Sequence, residues 1–94
     1  MFYVISCISE MECKFSNTAA FGGSQKQAST EDLTETECFA LCLEMKKKND
    51  TINGCAMYQN GKAGCFVQYG IQSLQADNEY KTCILTPVAK KSKW

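Results

Sequence analysis

Cys38 and Cys42 lie four residues apart in ECFALCLEM, residues 37 to 45, a stretch whose other residues favour helix. A spacing of four puts both sulfurs on one face of a helix, one turn apart. A pair so placed can ligate a metal, can act as a reactive pair, or can fasten the helix covalently to whatever it packs on. The remaining cysteines, at 7, 13, 55, 65 and 83, bear on that choice. Seven in 94 residues is a density characteristic of small disulfide scaffolds in oxidising compartments. A single domain of this length sits near the small end of what an apolar core alone holds together, so covalent or metal reinforcement is expected.

The helix is marked at both ends. Thr34 followed by Glu37 is a capping-box signature, in which hydroxyl and carboxylate take up backbone donors at the helix start. Cys38, Leu41, Cys42 and Met45 then fall on one face. Glu31, Asp32, Glu35 and Glu37 crowd the front and Lys46, Lys47 and Lys48 the end, each sign complementing the nearer pole of the helix dipole. Asn49, Asp50 and the pair Asn53-Gly54 are expected to close the element.

Strand signals flank the helix. MECKFS, residues 11 to 16, alternates loosely and suits a first strand, whereas residues 16 to 32, small and polar around Phe21 and Gly22-Gly23, read as a loop or irregular edge. CAMYQ (55 to 59) and GCFVQYG (64 to 70) flank Asn60-Gly61, a hairpin cue. IQSLQADNE is looser, and YKTCILTP (80 to 87) reads as a final strand ended by the one proline. The expected fold is α+β: one helix packed across a small antiparallel sheet and stapled to it by disulfides. Residues 1 to 10 read as a leader remnant or N-terminal extension, 11 to 86 as the domain and 87 to 94 as a basic tail.

If the helix lays its apolar stripe on the sheet, Cys38 and Cys42 face the hairpin that carries Cys55 and Cys65. A nested arrangement follows naturally: Cys42 with Cys55, Cys38 with Cys65, and Cys13 with Cys83 tying first strand to last. Spacing alone does not select it, because six cysteines allow fifteen pairings and the choice of the seventh to leave out multiplies them. Cys7 is that odd thiol here: unpaired, bridged to a second chain in a dimer, or part of a removed leader.

The order TETECFALCLEM, NGCAMYQ, GCFVQYG, YKTCIL resembles the PAN/Apple domain family, with its Cys-x3-Cys helix, Cys-x-x-aromatic strand (here Cys55 to Tyr58), Cys-apolar strand and closing cysteine. The likeness covers about residues 11 to 86. It implies an antiparallel sheet of five or so strands crossed by one helix, helix-to-hairpin disulfides, a further bridge joining the termini, and a role in binding proteins or carbohydrates as one module of a larger extracellular protein. The extra Cys7 and the lack of a recognisable signal depart from the family pattern.

Chemistry separates the alternatives. Cys38, Cys42, Cys55 and Cys65 offer four thiolates to zinc, but there is no Cys-x2-Cys knuckle and no histidine in the chain. Lack of histidine also removes the usual base for a thiol or serine nucleophile, and the acidic residues are accounted for by the helix start, so no enzyme, cofactor or metal is expected. Ten basic and ten acidic side chains cancel, giving no reason to expect nucleic acid. No apolar run reaches the roughly 18 residues of a membrane span. MFYVISCIS is apolar at residues 2 to 5 but lacks a basic leader and the roughly 7 apolar residues of a signal core, so a secreted or extracellular location is inferred from cysteine usage.

Three features have both a functional and a plain reading. Lys46 to Lys48 with Lys90, Lys91 and Lys93 suit a heparin-like polyanion or, more plainly, helix-end capping and a solvated tail. Asn49-Asp50-Thr51, in an expected surface turn, is an N-glycosylation sequon that carries sugar if the chain is secreted or, equally, a chance match. Tyr58, Phe66, Tyr69 and Tyr80 suit stacking on ligands or, more plainly, the core. The chain is thus expected to be an extracellular, non-catalytic adhesion or recognition module for protein or glycan ligands. A free-standing secreted effector, inhibitor or toxin-like, is the second reading, and an intracellular zinc domain the third.

Overall fold

The computed structural model describes residues 11–88; Cys7, the N-terminal extension and Lys90, Lys91 and Lys93 lie outside them. Among the described residues the fold is α+β, with one helix and small antiparallel sheets in the order β1 (Met11–Glu12), β2 (Thr18–Phe21), β3 (Ser24–Ser29), α1 (Glu35–Lys46), β4 (Ile52–Tyr58), β5 (Cys65–Tyr69), β6 (Ser73–Ala76), β7 (Tyr80–Ile84) and β8 (Thr86–Pro87). A four-stranded sheet ordered β3-β5-β4-β7 carries the core, and two ribbons, β1-β8 and β2-β6, flank it.

The helix begins as its sequence directs. Thr34 is the N-cap; its hydroxyl accepts from the Glu37 backbone N–H at 3.1 Å, and the Glu37 carboxylate accepts from the Thr34 N–H at 2.9 Å. Cys38 and Cys42 are fully buried and Leu41 and Met45 partly so, all against β4 and β5. The far end is closed by side chain as well as backbone. The Lys46 ammonium donates to the carbonyls of Asp50 at 3.1 Å and Ile52 at 2.7 Å, and pairs with the Asp50 carboxylate at 3.4 Å.

Register decides which strand residues meet the helix. In β4, Cys55 lies opposite Val67 of β5 and Cys83 of β7, and Met57 opposite Cys65. Because side chains alternate across a sheet, Cys55, Met57, Cys65, Val67 and Cys83 share the helix-facing side. They form the core with Cys38, Cys42, Ile52 and Leu85. On the other side, the buried Thr82 hydroxyl donates to the Thr18 carbonyl at 2.8 Å and so draws the β2-β6 ribbon against β7.

Five expectations are corrected. Residues 11 to 16 do not form one strand: pairing covers Met11–Glu12, and the chain then leaves β8 to make a lone bridge from Ser16 to Thr82. The expected loop or irregular edge at 16 to 32 contains two regular strands, β2 and β3, of which β3 does lie at the sheet edge; they pair with β6 and β5 rather than with each other. Asn53-Gly54 does not terminate the helix but lies inside β4. The Asn53 carboxamide donates to the Ile71 carbonyl at 3.1 Å and accepts from the Ile71 N–H at 2.9 Å, so its polar side chain is used between segments rather than in a local turn. The looser stretch after residue 70 contains β6. The sheet itself has four strands, not five.

Gly22 and Gly23, both at positive φ, turn the chain from one sheet to the other. At Gly23 a Cβ would run into the Tyr69 carbonyl oxygen and meet the Gly70 carbonyl oxygen at 2.7 Å, whereas at Gly61, also at positive φ, a Cβ meets nothing within 4 Å. Gly61→Ala is therefore expected to lose only the left-handed backbone term, about 1 kcal/mol. Gly23→Ala adds a backbone clash that no rotamer relieves and should lose about 3 kcal/mol or more. Urea unfolding of the two variants under oxidising conditions measures the difference.

Candidate functional site

Among the described residues, two parts hold chemistry beyond ordinary packing: the sulfur centre under the helix and a polar and aromatic end of the sheet. The sulfur centre follows from the fold. The helix presents Cys38 and Cys42 one turn apart, and the β4-β5 hairpin presents Cys55 and Cys65 on the side below. The structure joins Cys38 to Cys65 and Cys42 to Cys55, with Cα separations of 5.6 and 6.2 Å, and joins Cys13 to Cys83 at 5.2 Å. All six cysteines picked out as bridge-formers are thus brought together in pairs. On a chain-entropy account, loops with separations of 13, 27 and 70 residues are each worth about 3 to 4.5 kcal/mol, less in combination because the loops overlap.

The inner two bridges touch. The sulfurs of Cys38, Cys42, Cys55 and Cys65 all lie within 4.8 Å of one another, and Cys38 Sγ is 3.5 Å from Cys55 Sγ. Four sulfurs this close could also surround a metal ion, so their neighbours matter. Cys38 Sγ has the Ala56 carbonyl oxygen at 3.7 Å and Cys42 Sγ that of Phe66 at 3.7 Å. The Cys38 carbonyl oxygen lies 3.4 Å from Cys55 Sγ and 3.6 Å from Cys65 Sγ. Carbonyl oxygens repel thiolates and accept from neutral thiols, so this lining favours uncharged sulfur.

The outer bridge is placed differently. Cys83 is fully buried but Cys13 is only partly so, at a small cavity lined also by Phe15, Glu35, Thr36 and Phe39. Beside it the Lys81 ammonium meets the Glu35 carboxylate at 3.0 Å, joining the helix start to β7.

The aromatic residues divide. Phe66 is buried and Tyr69 packs against the core, while Tyr58 and Tyr80 are half-buried. Tyr58 stacks on Tyr80 with ring centroids 5.0 Å apart, Phe66 meets both edge-on, and the Lys62 ammonium stands 4.6 Å above the Tyr58 ring. The next turn is built on Asp77, whose carboxylate accepts from the N–H groups of Glu79 at 2.7 Å and Tyr80 at 3.1 Å. Gln59 ties this turn to the end of β4 through the carbonyls of Asp77 at 2.9 Å and Tyr80 at 2.7 Å. Asn17, Ala76, Asp77 and Asn78 line an open depression alongside. Sequence reasoning singled out the tyrosines but not Asn17, Lys62, Asp77 or Asn78; residues 76 to 80 carry a turn signature, yet only the pairing of β2 with β6 brings Asn17 to them.

The chain matches no family profile, no curated protein and no solved structure.

The Tyr80 phenol is held above its ordinary range, first by hydrogen bonding with Tyr58, then by burial, then by charge at Tyr58, Glu79 and Asp77. A raised folded-state pKa means that the stabilisation is whole below the unfolded tyrosine value, about 10, and is lost as pH rises through the folded one. Stability measured by urea unfolding should fall with pH above that value, and the slope should be shallower in Tyr80→Phe.

Proposed function

We propose that the chain is an extracellular, non-catalytic recognition module of PAN/Apple type, and that its ligand is a glycan or a glycosylated protein surface bound at the end of the sheet formed by Lys62, Tyr58, Tyr80 and the 76 to 78 turn. The observation that carries the reading is the juxtaposition of the stacked tyrosine pair with Asn17, Asp77 and Asn78 through one shared turn. Aromatic faces pack on the apolar faces of sugar rings, and carboxamide and carboxylate groups exchange hydrogen bonds with hydroxyls. Helix-to-hairpin bridges and an outer bridge between first and last segments support the family resemblance. They also suit an oxidising compartment. A polyanion patch gains less support at the helix end, because the Lys46 ammonium is engaged by two carbonyls and Asp50 and Lys47 pairs with Glu44 at 3.1 Å.

A glycan array and a pull-down from extracellular matrix, both with the fully oxidised chain, test this reading. Asn78→Ala and Lys62→Ala, at exposed positions, should each weaken the captured ligand about tenfold, or ~1.4 kcal/mol, with unfolding midpoints unchanged. Unchanged binding in both variants, or discovery of a hydrolytic or transfer activity, would overturn it.

Asn49 belongs to the same reading as a glycosylation acceptor. It is exposed just beyond the helix, and its side-chain oxygen accepts from the Thr51 N–H at 3.1 Å and the Thr51 hydroxyl at 2.5 Å, so the sequon is ordered at the surface. Directed through a eukaryotic secretory pathway by an added leader, the chain should gain one glycan mass that peptide N-glycosidase removes and that Asn49→Gln and Thr51→Ala abolish.

A further inference from the structure

Nothing in the recognition reading uses the contact between the two inner bridges. Cys38 and Cys55 belong to different disulfides, yet their sulfurs are 3.5 Å apart, about the sum of two sulfur radii, and all four sulfurs fall within 4.8 Å with no side chain exposed to solvent. A thiolate attacks a disulfide sulfur through just such an approach. The carbonyl lining disfavours a tetrathiolate metal centre, in which four thiolates would have to persist, whereas a single thiolate released 3.5 Å from a disulfide sulfur is consumed by attacking it. Both possible partners of either helix cysteine lie on the same hairpin.

We propose that the two inner bridges form a single exchange-coupled sulfur centre, able to pass between the pairing Cys38–Cys65 with Cys42–Cys55 and the pairing Cys38–Cys55 with Cys42–Cys65, under the action of a small thiol. The steps balance without net oxidation. Because the closed structure exposes none of the four sulfurs, a local opening of α1 from the hairpin admits an external thiolate, which attacks Cys42 Sγ, forms a mixed disulfide and releases the Cys55 thiolate. Cys55 attacks Cys38 Sγ, forming the Cys38–Cys55 bond and expelling the Cys65 thiolate. Cys65 attacks the mixed disulfide at Cys42, closes Cys42–Cys65 and returns the external thiolate. In both end states two bonds tie α1 to the β4-β5 hairpin, and at least one does so at every intermediate stage, so the helix is never released.

Two variants, each in a Cys7→Ser background, probe the contact from opposite sides. Cys65→Ser leaves Cys38 without its partner; exchange at Cys55 shifts the free thiol to Cys42. Cys42→Ser leaves Cys55 without its partner; exchange at Cys38 shifts the free thiol to Cys65. Each oxidised protein is held at mildly alkaline pH, quenched in acid, unfolded and labelled with a maleimide below the thiol pKa. Cleavage after Phe39, Lys48 and Lys62 separates the four positions for mapping. Label on Cys42 in the first variant and on Cys65 in the second supports the proposal. Label confined to Cys38 and Cys55, in chains whose near-ultraviolet circular dichroism is that of the parent, overturns it. Should either variant fail to fold, the parent chain incubated with a catalytic amount of reduced glutathione gives the same decision: a Cys38–Cys55 linked peptide supports the centre, and its absence, with or without glutathione on Cys38, Cys42, Cys55 or Cys65, overturns it.

Discussion

Everything else in the domain is arranged around the covalent attachment of one helix to one hairpin. Of the helix residues, only Cys38 and Cys42 are fully buried; Leu41, Leu43 and Met45 remain partly open. An amphipathic helix of 12 residues with so thin an apolar stripe has little to gain from packing alone. The sulfurs change that balance by tying the helix to β4 and β5 and restricting the unfolded chain. The sheet can then be small, with its central strands supplying Cys55, Met57, Cys65 and Val67 on one side and its edge strand β3 carrying mostly polar residues.

The parts of this fold that were legible in the sequence are those with local signals. Thr34 and Glu37 announced the helix start because a capping box is built from side chains three residues apart, and Cys38 with Cys42 announced the buried face for the same reason. Asn60-Gly61 located the connection between β4 and β5. What stayed hidden was pairing between distant segments. In β3 the first four residues, Ser24 to Gln27, are exposed, so an edge strand of this composition has no hydrophobic period to display. Its existence depends on β5 lying beside it. Asn53 misled for a related reason: alone it suits a turn, but with Ile71 opposite it completes two hydrogen bonds and the strand runs through.

The same division applies to the proposed recognition end. Tyr58 and Tyr80 are conspicuous in the sequence, but whether they line the core or the surface depended on what sits above them. Phe66 fills the buried side, the two tyrosines stack beside it, and Lys62 caps the outer ring. Asn17 arrives from a segment some sixty residues away through the β2-β6 ribbon, a juxtaposition that register alone produces.

The outer bridge has a mechanical consequence. Cys13 and Cys83 lie beside the β1-β8 ribbon, where the first and last described strands run antiparallel. Tension applied to the chain on either side of the domain therefore converges on one S–S bond, and the residues between, a separation of 70, carry none of the load. Cutting that bond would add slack of about 240 Å if the intervening chain were drawn straight, although the inner sulfurs would still hold back the part they enclose. The domain is in this respect a latch: short and stiff while oxidised, extensible once a reductant reaches Cys13.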